Sequence, residues 1–222
     1  MRKALYIMLF VLSLLLMAGC GRKDAANAPE DTASGRENTL SISFPADQDG
    51  RNAYNSKIYD TKPFSVKLAL PAGWETRQPA AENRGSDDNF YTKVALYNKE
   101  AYMGFVGFNI YTPAGEEVPK EDYYKTVYSS LRLGSMYIWD QYTPVKTTET
   151  TETATATVNY KDPEKIDENP GAMAEVPFIE VPGILAYDKN MLVYVGIQFA
   201  ENAVTDEEVR QIAESLVLEM DK

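Results

Sequence analysis

These 222 residues contain no histidine and a single cysteine, Cys20. Without imidazole there is no Ser-His-Asp triad, no His general base and no His-ligated zinc or iron centre. A lone cysteine closes no disulfide within the chain, and once acylated it leaves no thiolate nucleophile or metal ligand. A Gly-x-x-x-x-Gly-Lys-Ser/Thr phosphate loop and a dinucleotide fingerprint are also missing. Basic charge is in short supply: 22 Lys and Arg stand against 33 Asp and Glu, a formal charge of −11. Such a balance disfavours nucleic acid, where affinity comes from Lys and Arg neutralising phosphates, and it disfavours a polybasic membrane contact. What remains is carboxylate, Ser-Lys or Tyr chemistry and carboxylate metal binding.

The cysteine that is present stands in a telling place. Arg2 and Lys3 precede a near-continuous apolar run from Ala4 to Met17, and Ala18 and Gly19 are small. A basic n-region, a short apolar h-region and small residues before the cut describe a secretory signal. Met17-Ala18-Gly19-Cys20 resembles the lipobox of bacterial lipoproteins, with Met17 where Leu is commoner. The resemblance implies diacylglycerol on the Cys20 thiol, cleavage between Gly19 and Cys20, and a further acyl chain such as palmitate on the new amine. The rival readings are an ordinary cleaved signal or an uncleaved anchor. The apolar run is short for a span of about 20 residues, which argues against the anchor. Two or more acyl chains hold a protein stably on a bilayer. The expected address is therefore the cell membrane, with the chain facing the extracytoplasmic side. Arg2 and Lys3 are the only charged residues of 1–19, so their removal takes the formal charge from −11 to −13.

Gly21 to Asn38 holds no large apolar residue. It cannot bury enough surface to offset ordering entropy, and it is expected to be a disordered tether. Its reach is roughly 60 Å fully extended and roughly 24 Å as a flexible coil. The organisation expected is thus a signal at 1–19, a lipidated cysteine and tether at 20–38, and one globular α+β domain at 39–222.

Within that domain Leu40 to Phe44 and Phe64 to Leu68 alternate apolar and polar residues, the period of a half-buried strand. Pro71-Ala72-Gly73-Trp74 is turn chemistry. Phe90 to Tyr97 and Met103 to Tyr111 flank Asn98-Lys99-Glu100 as a hairpin. Pro119 opens a helix, with Tyr124, Val127, Tyr128 and Leu131 on its buried stripe. Tyr137 to Tyr142 reads as a strand. Thr147 to Tyr160 alternates Thr with Ala, Val and Tyr and reads as a half-exposed strand, low complexity being the rival. Gly183 to Tyr187 and Leu192 to Phe199 form a closing pair. In the final helix Thr205 and Glu208 make a capping box, and Val209, Ile212, Ala213, Leu216 and Val217 share one face. Hairpins with amphipathic helices imply an antiparallel sheet with helices packed on it.

Candidate sites are few. Asp47-Gln48-Asp49-Gly50 places Asp47 and Asp49 at positions 3 and 5 of a calcium loop. Position 1 is then Pro45 and position 12 Ser56, so the cage is incomplete and a turn accounts for it better. Ser129, Ser130 and Lys125 share a predicted helix without forming Ser-x-x-Lys. A glycosidase would need two carboxylates across a cleft, and the acids give no pairing by themselves. Binding has two pointers. One is the 15 tyrosines, among them Tyr91, Tyr97, Tyr102, Tyr111, Tyr123, Tyr124 and Tyr128, which suit interfaces but equally suit sheet margins. The other is Lys161 to Pro182, a Pro-rich insertion that is either functional or simply mobile.

Phe64-Ser65-Val66-Lys67-Leu68-Ala69-Leu70-Pro71-Ala72-Gly73-Trp74 resembles the early strand and Pro-x-Gly-Trp turn of PsbP-like domains. Gly183-Ile184-Leu185-Ala186-Tyr187, Val193 to Phe199 and Ile212-Ala213-Glu214-Ser215-Leu216 are similar to that family's closing strands and final helix. The resemblance covers roughly Pro63 to Leu218. It implies an antiparallel sheet between helices, an α/β/α sandwich. With no histidine there is no counterpart to a His metal ligand, and fold likeness does not carry function across. The expectation is a non-enzymatic, lipid-anchored envelope protein that binds or scaffolds another envelope component, without a cofactor. The alternative is a carboxylate-dependent hydrolase acting on envelope glycans or peptides.

Overall fold

The computed structural model describes residues 38–44, 64–77, 92–110, 118–132, 137–168, 171 and 173–220. Gly19, Cys20, the tether to residue 37, Asp47 to Gly50, Tyr91 and Tyr111 lie outside the described residues. No helix among the described residues is long and apolar enough to cross a membrane.

Among the described residues ten strands form two antiparallel sheets. β1 (Asn38–Phe44), β2 (Phe64–Leu70) and β10 (Val217–Met220) make a three-stranded sheet in the order β1-β2-β10. β3 (Trp74–Arg77), β4 (Thr92–Asn98), β5 (Ala101–Ile110), β6 (Tyr137–Thr147), β7 (Thr151–Lys161), β8 (Phe178–Asp188) and β9 (Val193–Phe199) make a seven-stranded one. Its order is β3-β4-β5-β9-β8-β7-β6. Among the described residues three helices accompany them: α1 (Tyr123–Leu131), entered through a 3-10 turn at Lys120–Asp122, the short α2 (Pro163–Glu168), and α3 (Asp206–Ser215).

The period-2 alternation of the strands gives the large sheet two different faces. On one, Val94, Leu96, Val106, Phe108, Ile184, Ala186, Val195, Ile197 and Phe199 meet Phe64, Val66, Leu68 and Leu70 of β2 and Val209, Ile212 and Ala213 of α3. We call this the aliphatic face. On the other, Phe105, Trp139, Val158, Leu185, Tyr187 and Tyr194 meet Val127 and Leu131 of α1. This is the aromatic face.

The large sheet is not flat. The Lys93 ammonium on β4 lies 4.4 Å from the Phe105 ring centre and 5.4 Å from that of Tyr137 on β6. β4 and β6 are five places apart in the strand order, which at about 4.8 Å per strand is about 24 Å in a flat sheet. That exceeds the combined reach of two side chains, so the sheet curls around its aromatic face.

An antiparallel sheet with helices packed on it is what the chain adopts, but strands dominate. One face is covered jointly by α3 and a second β layer rather than by helix alone. Three details differ from the sequence reading. The final helix ends at Ser215, and Val217, at helical spacing with Val209 and Ala213, belongs to β10, where it stands opposite Lys67. Burial of Leu218 against β2 outweighs one more helical turn. β8 starts at Phe178 and runs through Pro182, five residues before Gly183. Pro182 stands opposite Thr157, whereas β9 pairs with β8 only from Gly183 onward, so the missing N–H falls beyond the end of β9. The Thr-rich stretch divides: Thr147 closes β6, residues 148–150 turn, and β7 takes the rest.

Candidate functional site

The sequence-singled tyrosines separate into two places. Tyr97 and Tyr102 meet edge to face at 5.7 Å at the end of the β4–β5 hairpin, with the Arg77 guanidinium 4.2 Å over Tyr97. Arg77 also bonds Glu75, Glu100 and the Lys99 carbonyl, which fixes it there. Tyr123, Tyr124 and Tyr128 instead pack under α1 against the aromatic face, so these three serve as core. The Lys161–Pro182 insertion is shorter than its composition suggests, since both ends are strand. Lys161, only 8% exposed, donates to the carbonyls of Met173 (2.7 Å) and Ala174 (3.4 Å) and lies 5.0 Å from the Phe178 ring centre. With Ile166 of α2 also buried, the segment is tied to the sheet.

A large cavity lies elsewhere, on the aliphatic side where α3 leaves β6, β7 and β8 uncovered. It is an open groove of about 570 Å³. Its floor carries Thr155, Thr157 and Pro182, its outer lip Gln141, Thr143, Pro144 and Val145 of β6, and its wall Asp206, Val209 and Arg210 of α3, with Glu180 at one end. Local sequence explains each part. The outward Thr positions of β7 leave a low hydroxylated floor instead of bulky side chains. β6 is an edge strand broken by register shifts between Asp140 and Thr143 and between Pro144 and Lys146, with Gln141 at φ 53°. Bulges, Pro and Lys on an edge strand discourage pairing with another chain, and here the shifts also lift the lip.

The wall is held at both ends. Thr205 accepts from the Glu208 N–H (3.3 Å), and the Glu208 carboxylate accepts from the Thr205 N–H (2.8 Å). Lys146 donates to the carbonyls of Glu214 (3.4 Å) and Leu216 (3.2 Å), the cation placement that suits a helix C-terminus. Arg210 pairs with Glu214 at 3.0 Å on the exposed side. The groove offers apolar contact from two prolines and three valines, hydroxyls and an amide for hydrogen bonding, and charge at its ends. Its volume falls in the range of about 300–1,000 Å³ typical of ligand sites. Only the Thr alternation and α3 were legible beforehand; Gln141, Pro144, Glu180 and Arg210 carry no local signal.

The aromatic face holds an unusual polar cluster. Tyr128 stacks on Tyr142 with ring centres 4.0 Å apart and planes at 7°. The Tyr128 hydroxyl donates to Glu152 at 2.9 Å, and Glu152 is 8% exposed. Burial pushes the Glu152 carboxyl up; the Tyr128 hydrogen bond and the field of Lys125 pull the other way and do not cancel it. Burial, reinforced by Glu152, pushes the Tyr128 phenol far up, and burial, reinforced by Asp140, does the same to Tyr142. Asp188, also buried but on the opposite side in register with Val193, is fully engaged by the Thr151 hydroxyl (2.8 Å) and the N–H groups of Asn190 (2.9 Å) and Met191 (2.8 Å). Among the described residues no three acidic side chains converge as a metal cage.

No family model, no curated protein and no solved structure matches this chain.

Proposed function

We propose that this chain is a lipid-anchored extracytoplasmic protein, held on the cell membrane through Cys20, whose β-rich domain binds an envelope component in the α3 groove without transforming it. The observation that carries the reading is the groove itself, a roomy hydroxylated channel beside an edge strand that is built against strand pairing. The lipobox Met17-Ala18-Gly19-Cys20 supports the address. We read the domain as PsbP-like, on the Pro71 to Trp74 turn, the β8–β9 hairpin and the α3 helix that follows it.

The test uses the chemistry of the chain. With Cys20 acylated, a cysteine introduced at Thr157 is the only free thiol and takes a photo-crosslinker into the groove. Crosslinking in envelope extracts is expected to give a discrete adduct from Thr157→Cys and none from Lys99→Cys at the distant hairpin turn. Equal capture at both positions overturns the groove assignment. Changing Cys20 to Ser is expected to release the protein from the membrane fraction, and retention with an unprocessed mass defeats the anchor. A hydrolase is the second reading, because Glu180 and Asp206 both line the groove and paired carboxylates are what glycan hydrolysis uses. Turnover of an envelope glycan or peptide that Glu180→Gln abolishes would select it.

A further inference from the structure

β7 points Thr155 and Thr157 toward the groove, and Glu152, of opposite parity, toward the aromatic side. There a second and smaller cavity of about 150 Å³ opens between the entry to α1 and the β6–β7 turn. Glu152 and Tyr187 are its buried residues, Tyr124 forms part of its wall, and the turn from Thr147 to Thr151 closes it. Lys120 and Lys189 line it against Glu121, Glu149 and Glu152, two positive charges against three negative, and of the five only Glu152 is buried.

That carboxylate is the unexplained feature. A buried carboxylate ordinarily sits in an ion pair, yet among the described residues Glu152 is in none; one oxygen takes the Tyr128 hydroxyl and nothing else bonds it. Lys125, whose field acts on it, is held by Asp122 at 2.5 Å. A hard metal ion would want six or more oxygen ligands, and among the described residues no three acidic side chains come together to hold one. Aromatic faces beside a carboxylate suit an organic cation instead. The space is well below that of a drug-sized ligand, so it fits a head group rather than a ring system.

We propose that this cavity is a binding site for a small primary ammonium, its charge set against Glu152 and its flank against Tyr124 and Tyr187. The site is independent of the groove and of the groove's occupant.

Titration of the full chain with n-propylammonium chloride, followed by amide and tyrosine ring NMR, tests it against matched sodium chloride. Saturable shifts are expected in residues 120–128 and 147–152, absent with sodium. Glu152→Gln keeps an acceptor for Tyr128 and removes the charge, and it is expected to weaken binding at least about tenfold, while Glu168→Gln on α2 leaves it unchanged. Unchanged affinity in Glu152→Gln, equal shifts with sodium, or no saturation by n-propylammonium overturns the site. Should Glu152→Gln fail to fold, the wild-type chain still decides. Carbon-13 titration of the Glu152 carboxyl must move to lower pH when n-propylammonium is present, and an unmoved titration overturns the proposal.

Discussion

The two faces of the seven-stranded sheet are built on different principles. The aliphatic face is closed by β2, β10 and α3 chiefly with Val, Leu, Ile and Phe beside Trp74, and the one buried carboxylate on its side, Asp188, is fully hydrogen-bonded. The aromatic face is closed by α1 and by the sheet's own curl, and it buries Tyr, Trp and a carboxylate. Two of its buried side-chain atoms, Tyr142 Oη and Gln198 Oε1, have no hydrogen-bond partner among the described residues. Unsatisfied buried polar groups cost free energy. A chain that tolerates them on one side of a sheet needs the other side to supply the stability. The division of labour is therefore asymmetric: the aliphatic face holds the fold, and the aromatic face carries groups whose state depends on pH and on what fills the space above Glu152.

The largest test of that asymmetry is on the aliphatic side. Phe199 is 0% exposed and meets Trp74 edge to face at 6.3 Å. Phe199→Ala is expected to lower stability by about 3–5 kcal/mol in denaturant unfolding. A loss under about 1 kcal/mol would mean that this face is not the one holding the fold. Next comes the polar cluster. Tyr128→Phe keeps the ring stack on Tyr142 but strips the donor from Glu152, and a hydrogen bond to a charged group is worth about 1.5–3 kcal/mol. The variant should fall short of the wild type by that order at neutral pH, and no loss would detach Glu152 from Tyr128 energetically.

The pH dependence carries a sign opposite to the usual carboxylate. Because burial raises the Glu152 carboxyl in the folded chain, the folded state holds that proton to higher pH than the unfolded one. The penalty is then full above the folded value and fades as the pH falls toward the ordinary carboxylate range. Measured as a difference, the wild type should gain stability relative to Glu152→Gln on acidification. A difference that stays flat, or that runs the other way, shows that the carboxyl is not raised.

How far this contrast could be read from the residues depends on the range of the interactions involved. The Thr205–Glu208 box, the Pro71–Trp74 turn and the hairpin at Lys99 and Glu100 are settled within a few neighbours, and all three stand as expected. β3 escaped notice because Trp74 to Arg77 is four residues long and mostly polar; it exists because β4 is there to pair with it. Val217 looked helical for the complementary reason, since only β2, some 150 residues earlier, pulls it into a strand. The tyrosines were visible as a class, but their sorting into a hairpin pair, half-buried Tyr97 and exposed Tyr102, and a packed layer under α1 follows from the sheet's curl. No short window contains that curl. The groove is assembled from β6, β7, β8 and α3, so its polar lining was present in the chain without any local mark that it converges.

The smallest expected effect separates the two accounts of the aromatic face most sharply. Tyr142→Phe makes the same chemical change as Tyr128→Phe, on the ring stacked directly against it. The difference is that the Tyr142 hydroxyl is buried with no partner among the described residues, whereas that of Tyr128 reaches Glu152. Removing an unsatisfied buried hydroxyl relieves a desolvation cost and keeps the stack, so the variant should match the wild type within about 0.5 kcal/mol or exceed it. Equilibrium unfolding of the two single variants side by side reads this directly. If Tyr142→Phe instead costs more than about 1 kcal/mol, its hydroxyl has a bonding role of its own. The aromatic face would then be a satisfied polar core, and the asymmetry between the faces would lie in residue type alone.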